Sequence, residues 1–324
     1  IWNAYNIVAD LLTFLILVGI LGLMPRRYLL APRDFTWNPN VPLHEKARAG
    51  IARDSAIVGA FIAFHVGSRL LSKAFQLAGE GPDPFQPVAS ALAGALSGLP
   101  PALLTFGEHF FWWGALGSIL LFLPYFPRSK HIHLFMAPIN LAFRKEVPGA
   151  LTPLDFEKEE EKFGAEKLED LSWKRLLDAY ACIMCNRCQE ACPAYTTGKA
   201  LSPAAILISE RYELNEILPR FAQGEESPRP LMDFALNEEA LWACTTCLAC
   251  VEVCPVGNEQ MLHILDVRRA KVLMEGSFPQ ELNNAFRGME RSGNPWGIGQ
   301  DKRLDWAEGL NVPTVEEKPH PEVL

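Results

Sequence analysis

The chain has 324 residues, with 30 Lys and Arg against 38 Asp and Glu and a formal net charge of −8. The charge is divided unevenly: residues 1–150 hold 12 basic and 8 acidic residues, and residues 151–324 hold the remaining 18 and 30. A mildly basic, apolar first half joined to an acidic second half excludes one homogeneous domain. It argues against nucleic acid as a partner, while basic loops suit an anionic membrane surface.

Three apolar segments come first. One runs from Ala4 to Met24 with Asp10 as its only charge, and ends at Pro25-Arg26-Arg27. The second runs from Ser55 to Ala78, with Arg69 and Lys73 in its far third. The third, Thr105 to Phe126, is rich in aromatics. Each is about 20 residues, enough to cross ~30 Å of hydrocarbon as a helix. Between the last two, Val88–Leu104 is apolar but rich in small residues and ends in Pro100-Pro101, which reads as a short helix at the interface.

Loop charges give an orientation. Arg26, Arg27, Arg33, Lys46, Arg48 and Arg53 follow the first span; Gly79–Leu104 carries only Glu80 and Asp83; Arg128, Lys130, Arg144 and Lys145 follow the third. The positive-inside rule places everything after Phe126 in the cytoplasm, which predicts a multi-pass protein of the inner membrane. The start at Ile1, with no basic n-region or cleavage site, does not read as a signal peptide and reads as lying inside a longer polypeptide.

Residues 1–150 are therefore expected to form a membrane domain. Residues 151–171 read as a linker, its charged, helix-favouring part Asp155–Asp170 having little to bury. Residues 172–291 read as helices joined by short turns, including Pro203–Arg220 and Asn258–Glu275. Residues 292–324 read as an irregular tail, with Glu316–Pro321 a linker to a following region. The expected class is mainly α: a transmembrane helical bundle followed by an α-helical ferredoxin-like domain.

All eight cysteines fall in two C-x2-C-x2-C-x3-C-P runs, Cys182, Cys185, Cys188, Cys192 with Pro193, and Cys244, Cys247, Cys250, Cys254 with Pro255. Two residues between cysteines let a tight turn aim three thiolates at three corners of one cubane. The fourth lies too far along the emerging helix and serves the other cluster. That assigns Cys182, Cys185, Cys188 and Cys254 to one [4Fe-4S] cluster, and Cys244, Cys247, Cys250 and Cys192 to the second. Four disulfides would contradict the reducing cytoplasm. Two zinc sites would need only C-x2-C pairs, not a third Cys and a Cys-Pro in both runs. The 51 residues between Cys192 and Cys244 exceed what a compact bacterial ferredoxin uses, hence the expectation of an α-helical ferredoxin.

His65, near the middle of the second span, and His109, towards the outer end of the third, are candidate axial ligands of a b haem, or else hydrogen-bond a neighbouring helix. His109 lies ~12 Å nearer the outside, an offset that tilted helices would have to absorb. His131 and His133 after the third span read as ligands of a second haem, as part of a quinone pocket, or as residues at the headgroups. Arg69, Lys73 and Glu108 read as an ion pair or as contacts to haem propionates. His44, His263 and His320 read as surface residues.

The motifs Leu171-Ser172-Trp173-Lys174, Asp178-Ala179-Tyr180-Ala181-Cys182, Asn186-Arg187-Cys188 and Gly198-Lys199-Ala200-Leu201-Ser202-Pro203 resemble those of the heterodisulfide-reductase-like proteins with a nitrate-reductase-gamma-like membrane domain. So do Leu241-Trp242-Ala243-Cys244-Thr245-Thr246-Cys247 and Asp266-Val267-Arg268-Arg269; the match is specific over 171–310 and looser at Pro127-Arg128-Ser129-Lys130-His131. Members of this group include membrane electron-transfer-flavoprotein:quinone oxidoreductases. The resemblance implies two further CCG domains with a noncubane cluster, expected to begin where this chain ends at Glu322-Val323-Leu324. It also implies a membrane domain of five helices and two haems, against three spans and one His in the second span here. Asn186 stands where many relatives have Gly.

These readings converge on an expectation: a membrane-bound oxidoreductase subunit passing electrons between a cytoplasmic donor, electron-transfer flavoprotein, and membrane quinone, through two [4Fe-4S] clusters and one or two b haems. The alternatives are a quinol-linked heterodisulfide or thiol reductase, and an electron-relay subunit of a larger respiratory complex.

Overall fold

A computed structural model describes residues 1–30, 32, 36–157 and 162–319. Arg33, His320 and the chain end at 322–324 lie outside the described residues, as does part of the charged linker. The fold is mainly α, with no strand among the described residues. In chain order the helices are α1 (Trp2–Pro25), α2 (Ala47–Glu80), α3 (Pro87–Leu96), α4 (Pro101–Phe122) and α5 (His133–Ala142). There follow α6 (Trp173–Ala181), α7 (Arg187–Glu190), α8 (Pro193–Thr196), α9 (Pro203–Phe221) and α10 (Leu231–Phe234), then α11 (Glu238–Ala243), α12 (Ala249–Glu252), α13 (Gln260–Arg269) and α14 (Leu282–Ser292). Two compact units result, Ile1–Ala270 and Lys271–Leu324. In the second, Gly293 closes α14 in the left-handed region at φ 67°, and Gly288 packs against the backbone of Asn294.

α1 is inside-out by the standards of a soluble helix. Its buried side chains are Asp10 and Thr13, while Leu12, Leu15 and Leu21 are more than half exposed. Polar groups turned inward and apolar ones outward match a hydrocarbon solvent, where the polar groups must find protein partners. Asp10 does so by accepting from the backbone N–H groups of Val88 (2.7 Å) and Ala89 (3.1 Å), which caps the start of α3. Two helical stretches, Trp2–Leu30 and Ala47–Glu80, are long and apolar enough to cross a membrane. The third expected span is α4, which starts at Pro101 rather than Thr105 and whose apolar run is interrupted by Glu108 and His109. The segment expected to lie at the interface divides into α3 and the first turn of α4. α2 packs most closely on α4, and Gly107 lets them approach: a Cβ there would sit 2.5 Å from the Phe75 ring.

The loop between α1 and α2 does more than carry basic charge. Trp37, Val41 and Leu43 pack into the apolar core built by α6, α9, α10 and α13. Asn38 Nδ2 donates to the Tyr195 carbonyl (3.3 Å), and the Tyr195 hydroxyl donates to the carbonyl of Thr36 (3.2 Å). His44, expected at the surface, is 1% exposed, and its Nε2 lies 3.1 Å from Glu213 Oε2. The linker is corrected likewise. Ala165 and Leu168 are fully buried, and the Ala165 N–H donates to the Asp266 carbonyl (2.8 Å). This anchoring outweighs the helix propensity of the charged residues around it.

Candidate iron–sulfur site

The two cysteine runs fold into matching loops. In each, the second residue after the first Cys and the residue after the second Cys take left-handed backbone: Met184 (φ 56°) and Asn186 (60°), Thr246 (55°) and Leu248 (65°). These reversals curl the chain around one centre, and α7 and α12 then start immediately, carrying Cys188 and Cys250. Asn tolerates the left-handed region better than other side chains, which explains how it substitutes at 186 for the Gly expected there. Backbone N–H groups face the sulfurs: Thr246 donates to Cys244 Sγ (3.4 Å) and Asn258 to Cys254 Sγ (3.3 Å).

None of the eight thiols is in a disulfide. They gather in two sets drawn from both runs. The Cys182 thiol is pushed up to about 12 by burial, opposed by the Met184 amide and reinforced by Cys254 and Cys185 nearby. Burial also drives Cys188 well above the ordinary thiol range, with Cys182, Cys254, Cys250 and Cys185 as its neighbours. Cys250 reaches about 12 by burial, with Cys244, Cys192 and Cys247 adding to it. Cys192, Cys244, Cys247 and Cys250 line one small cavity together with Met261 and Ile264. Buried thiols of this kind keep their protons at neutral pH unless iron replaces them. Among the described residues no three His, Cys, Asp or Glu side chains converge on a single metal ion. A cubane differs in that its thiolates each meet a separate iron. Four thiols around a small, mainly apolar-lined cavity, with amides aimed at sulfur, fit such a cluster.

Exposure differs between the sets. Each set has two buried cysteines, Cys182 and Cys188 in one and Cys192 and Cys250 in the other; the difference is Cys247, which is exposed, while Cys185, Cys244 and Cys254 are half-buried. Cys254 and Ile183 pack on Met136 and Ala137 of α5. A buried polar network ties the same helices together. Asn140 of α5 donates from Nδ2 to Asp178 Oδ1 (2.9 Å), the Val256 carbonyl (3.0 Å) and Asn258 Oδ1 (2.8 Å). Lys174 donates to Asp178 Oδ1 (2.7 Å), and Arg175 donates to Glu259 (3.3 Å) and Asp266 (3.3 Å). His263, also expected at the surface, is 1% exposed and is part of this network.

The candidate histidines fall in separate places. The His65 Nδ1 lies 3.0 Å from the Ala115 carbonyl and 3.2 Å from Ser118 Oγ, and its ring faces a cavity with Asp10, Arg69 and Lys73. His109 Nδ1 lies 2.8 Å from the Thr105 carbonyl, and its ring lines a different, aromatic groove. These two histidines are not brought together, so they do not offer one haem a pair of axial ligands. His131 and His133 do come together, with ring centroids 5.7 Å apart. Burial, and then neighbouring Lys130, hold His131 below the ordinary imidazole range; burial lowers His133 too. Both rings are thus neutral at physiological pH. Among the described residues Arg69 and Lys73 form no ion pair with Glu108; Arg69 donates to the Tyr5 hydroxyl (3.2 Å) and Lys73 to Gln76 (2.8 Å).

Fold and site define a helical dicluster iron–sulfur protein with apolar anchoring helices. Residues 178–258 match the family model of the 4Fe-4S dicluster domain. Over 98% of its length the chain is 33% identical to "Probable iron-sulfur-binding oxidoreductase FadF" of Bacillus subtilis, covering 48% of that protein. It is 32% identical to the "EtfAB:quinone oxidoreductase" of Syntrophomonas wolfei (95% of this chain, 46% of the relative). A "Probable membrane-anchored ferredoxin" of Chromohalobacter salexigens is 30% identical over 61% of the chain and 32% of its own length. The chain is thus similar to iron–sulfur oxidoreductases of this kind, and it spans about half the length of the first two relatives. No solved structure matches it. The anchored relative and the two long apolar helices point to membrane association.

Proposed function

We propose that the chain is the membrane-bound dicluster part of an oxidoreductase that carries electrons between electron-transfer flavoprotein and membrane quinone. Cys182, Cys185, Cys188 and Cys254 hold one [4Fe-4S] cluster, and Cys192, Cys244, Cys247 and Cys250 hold the other. A cubane so held takes up and releases one electron at a time.

The observation that carries this reading is the polarity of the two thiol sets. One packs on α5 through half-buried Cys254, and the other opens to solvent at Cys247. Cys247, with exposed Thr245 and Thr246 beside it, is the edge for a cytoplasmic donor. The His131–His133 turn is the edge for quinone. Its neutral imidazoles suit hydrogen bonding to a quinone carbonyl and proton exchange with a quinol, and His131 Nε2 is buried with no protein partner. In this reading α1, α2 and α4 cross the inner membrane and the cysteine-bearing domain faces the cytoplasm.

The test is low-temperature EPR of dithionite-reduced protein, followed by quinone reduction with reduced electron-transfer flavoprotein as donor. Interacting cubane signals and flavoprotein-dependent quinone reduction are expected. Anaerobic preparations without any cubane signal would sink the ligation scheme. Intact cubanes with no quinone turnover would overturn the choice of acceptor.

A further inference from the structure

Arg211, on α9, is 1% exposed. Its Nη1 donates to the carbonyl of Cys182 (3.4 Å) and its Nη2 to the carbonyl of Ser129. Its guanidinium lies 5.8 Å from the centre of the Tyr180 ring. Among the described residues no carboxylate forms an ion pair with it. Glu210, its chain neighbour, faces His263 at 2.9 Å instead. Asp54, bonded to Tyr125 and the Lys130 amide, acts on Arg211 from beyond ion-pair distance, so a buried cation bound only to carbonyls and a ring stays costly unless further negative charge lies close by.

The equivalent position in the second run shows how specific this is. Arg268 donates from Nη2 to the carbonyl of Cys244 (2.7 Å), so the first Cys of each run has its carbonyl held by an arginine. Arg268 is only half-buried, where solvent screens its charge. Asn215, one turn beyond Arg211, adds a second grip, with Nδ2 donating to the Arg128 carbonyl (3.4 Å). α9 therefore holds the turn before His131 with one arginine that also holds a cluster ligand.

We infer that Arg211 is a positioning residue of the membrane-side cluster: it supplies the buried counter-charge that raises that cluster's reduction potential, and it fixes Cys182 relative to the Ser129–His133 turn. This rests on Cys182 ligating a cluster. Reduction adds one negative charge beside Arg211, so an unscreened positive charge there favours the reduced form. Charge screened by solvent, as at Arg268, does so far less.

The experiment is an EPR-monitored redox titration of the membrane-bound protein in wild-type, Arg211→Met, Arg211→Gln, Arg211→Lys and Arg268→Met forms. Arg211→Met and Arg211→Gln are expected to shift one cubane at least tenfold towards the oxidised form, about 59 mV for one electron. The shifted signal should be the one abolished by Cys182→Ala, and the other cubane should stay in place. Arg211→Lys should keep most of the potential, and Arg268→Met should move its cubane less than Arg211→Met moves the first. If the neutral variants leave both potentials unchanged, or move both equally, Arg211 only packs and the inference is wrong. If Arg211→Met fails to assemble, Arg211→Gln, which retains hydrogen bonding without charge, decides by the same criterion; loss of assembly in both, with Arg211→Lys normal in content and potential, still supports a required charge. Wild-type protein with no cubanes would count against the ligation scheme instead.

Discussion

His263 Nδ1 lies 2.9 Å from Glu210 Oε1, and both side chains are almost wholly removed from water. On its other side His263 Nε2 faces Asp178 Oδ2 at 3.5 Å, so α6, α9 and α13 meet at one imidazole. Burial opposes its charge, but Glu210 and Asp178 raise it to about 9 from 6.5. The folded value lies above the unfolded one. The stabilisation is therefore complete below about pH 6.5 and is lost as pH rises through about 9, on the order of 3 kcal/mol. Denaturant melts of the holoprotein at pH 6.5, 8 and 10 should show this decline, and His263→Gln should flatten it. A wild-type stability unchanged between pH 6.5 and 10 would mean that the imidazole is not charged in the fold.

Asn140 ties α5 to α6 and to the loop after Cys254 through three acceptors. Asn140→Ala leaves those buried acceptors short of a donor and should cost about 1–3 kcal/mol. Because that loop follows directly on Cys254 and its Asn258 amide donates to the Cys254 sulfur, loss of iron from one cluster should precede global unfolding. Iron release and helical signal followed together on heating will separate the two events.

At Asn186 the left-handed backbone sets the outcome of substitution. Asn186→Gly should load iron normally. Asn186→Val places a β-branched side chain where it costs about 1–2 kcal/mol and should lower the iron content of one cluster. Equal iron contents in the two variants would show that the turn is not needed for ligation.

Gly164 has φ +82°, and a Cβ there would stand 2.2 Å from the Asp266 carbonyl oxygen and 2.4 Å from the Ala270 nitrogen. Backbone cannot yield as a side chain can, so Gly164→Ala should destabilise by more than the ~1–2 kcal/mol of left-handed strain alone. A thermal shift below 2 °C would contradict that packing.

Iron–sulfur chemistry and the helical class were legible because their signals are local. A C-x2-C-x2-C turn is specified within seven residues, and an apolar helix within twenty. The histidines were not legible for the opposite reason. His44 depends on Glu213, 169 residues away, and His263 on Glu210, 53 residues away; neither partner leaves a periodic trace around the histidine. The charges of the α1–α2 loop carry a topological signal that drew attention from Trp37, Val41 and Leu43, which are too few and too irregular to show as a buried face. In the described part of the linker, propensity pointed to a helix, while two buried residues and one backbone bond decided otherwise.

The insertion of that loop also governs when the protein can be completed. Asn38 and His44 bind residues 157 to 169 positions further along. At roughly 5–20 residues per second of synthesis, the loop waits on the order of ten to thirty seconds for its partners. During that interval Trp37, Val41 and Leu43 have no core to enter, and iron delivered to the first cysteine run would find neither Cys254 nor the second run. Cofactor loading is therefore a late step, gated by a segment translated long before its partners.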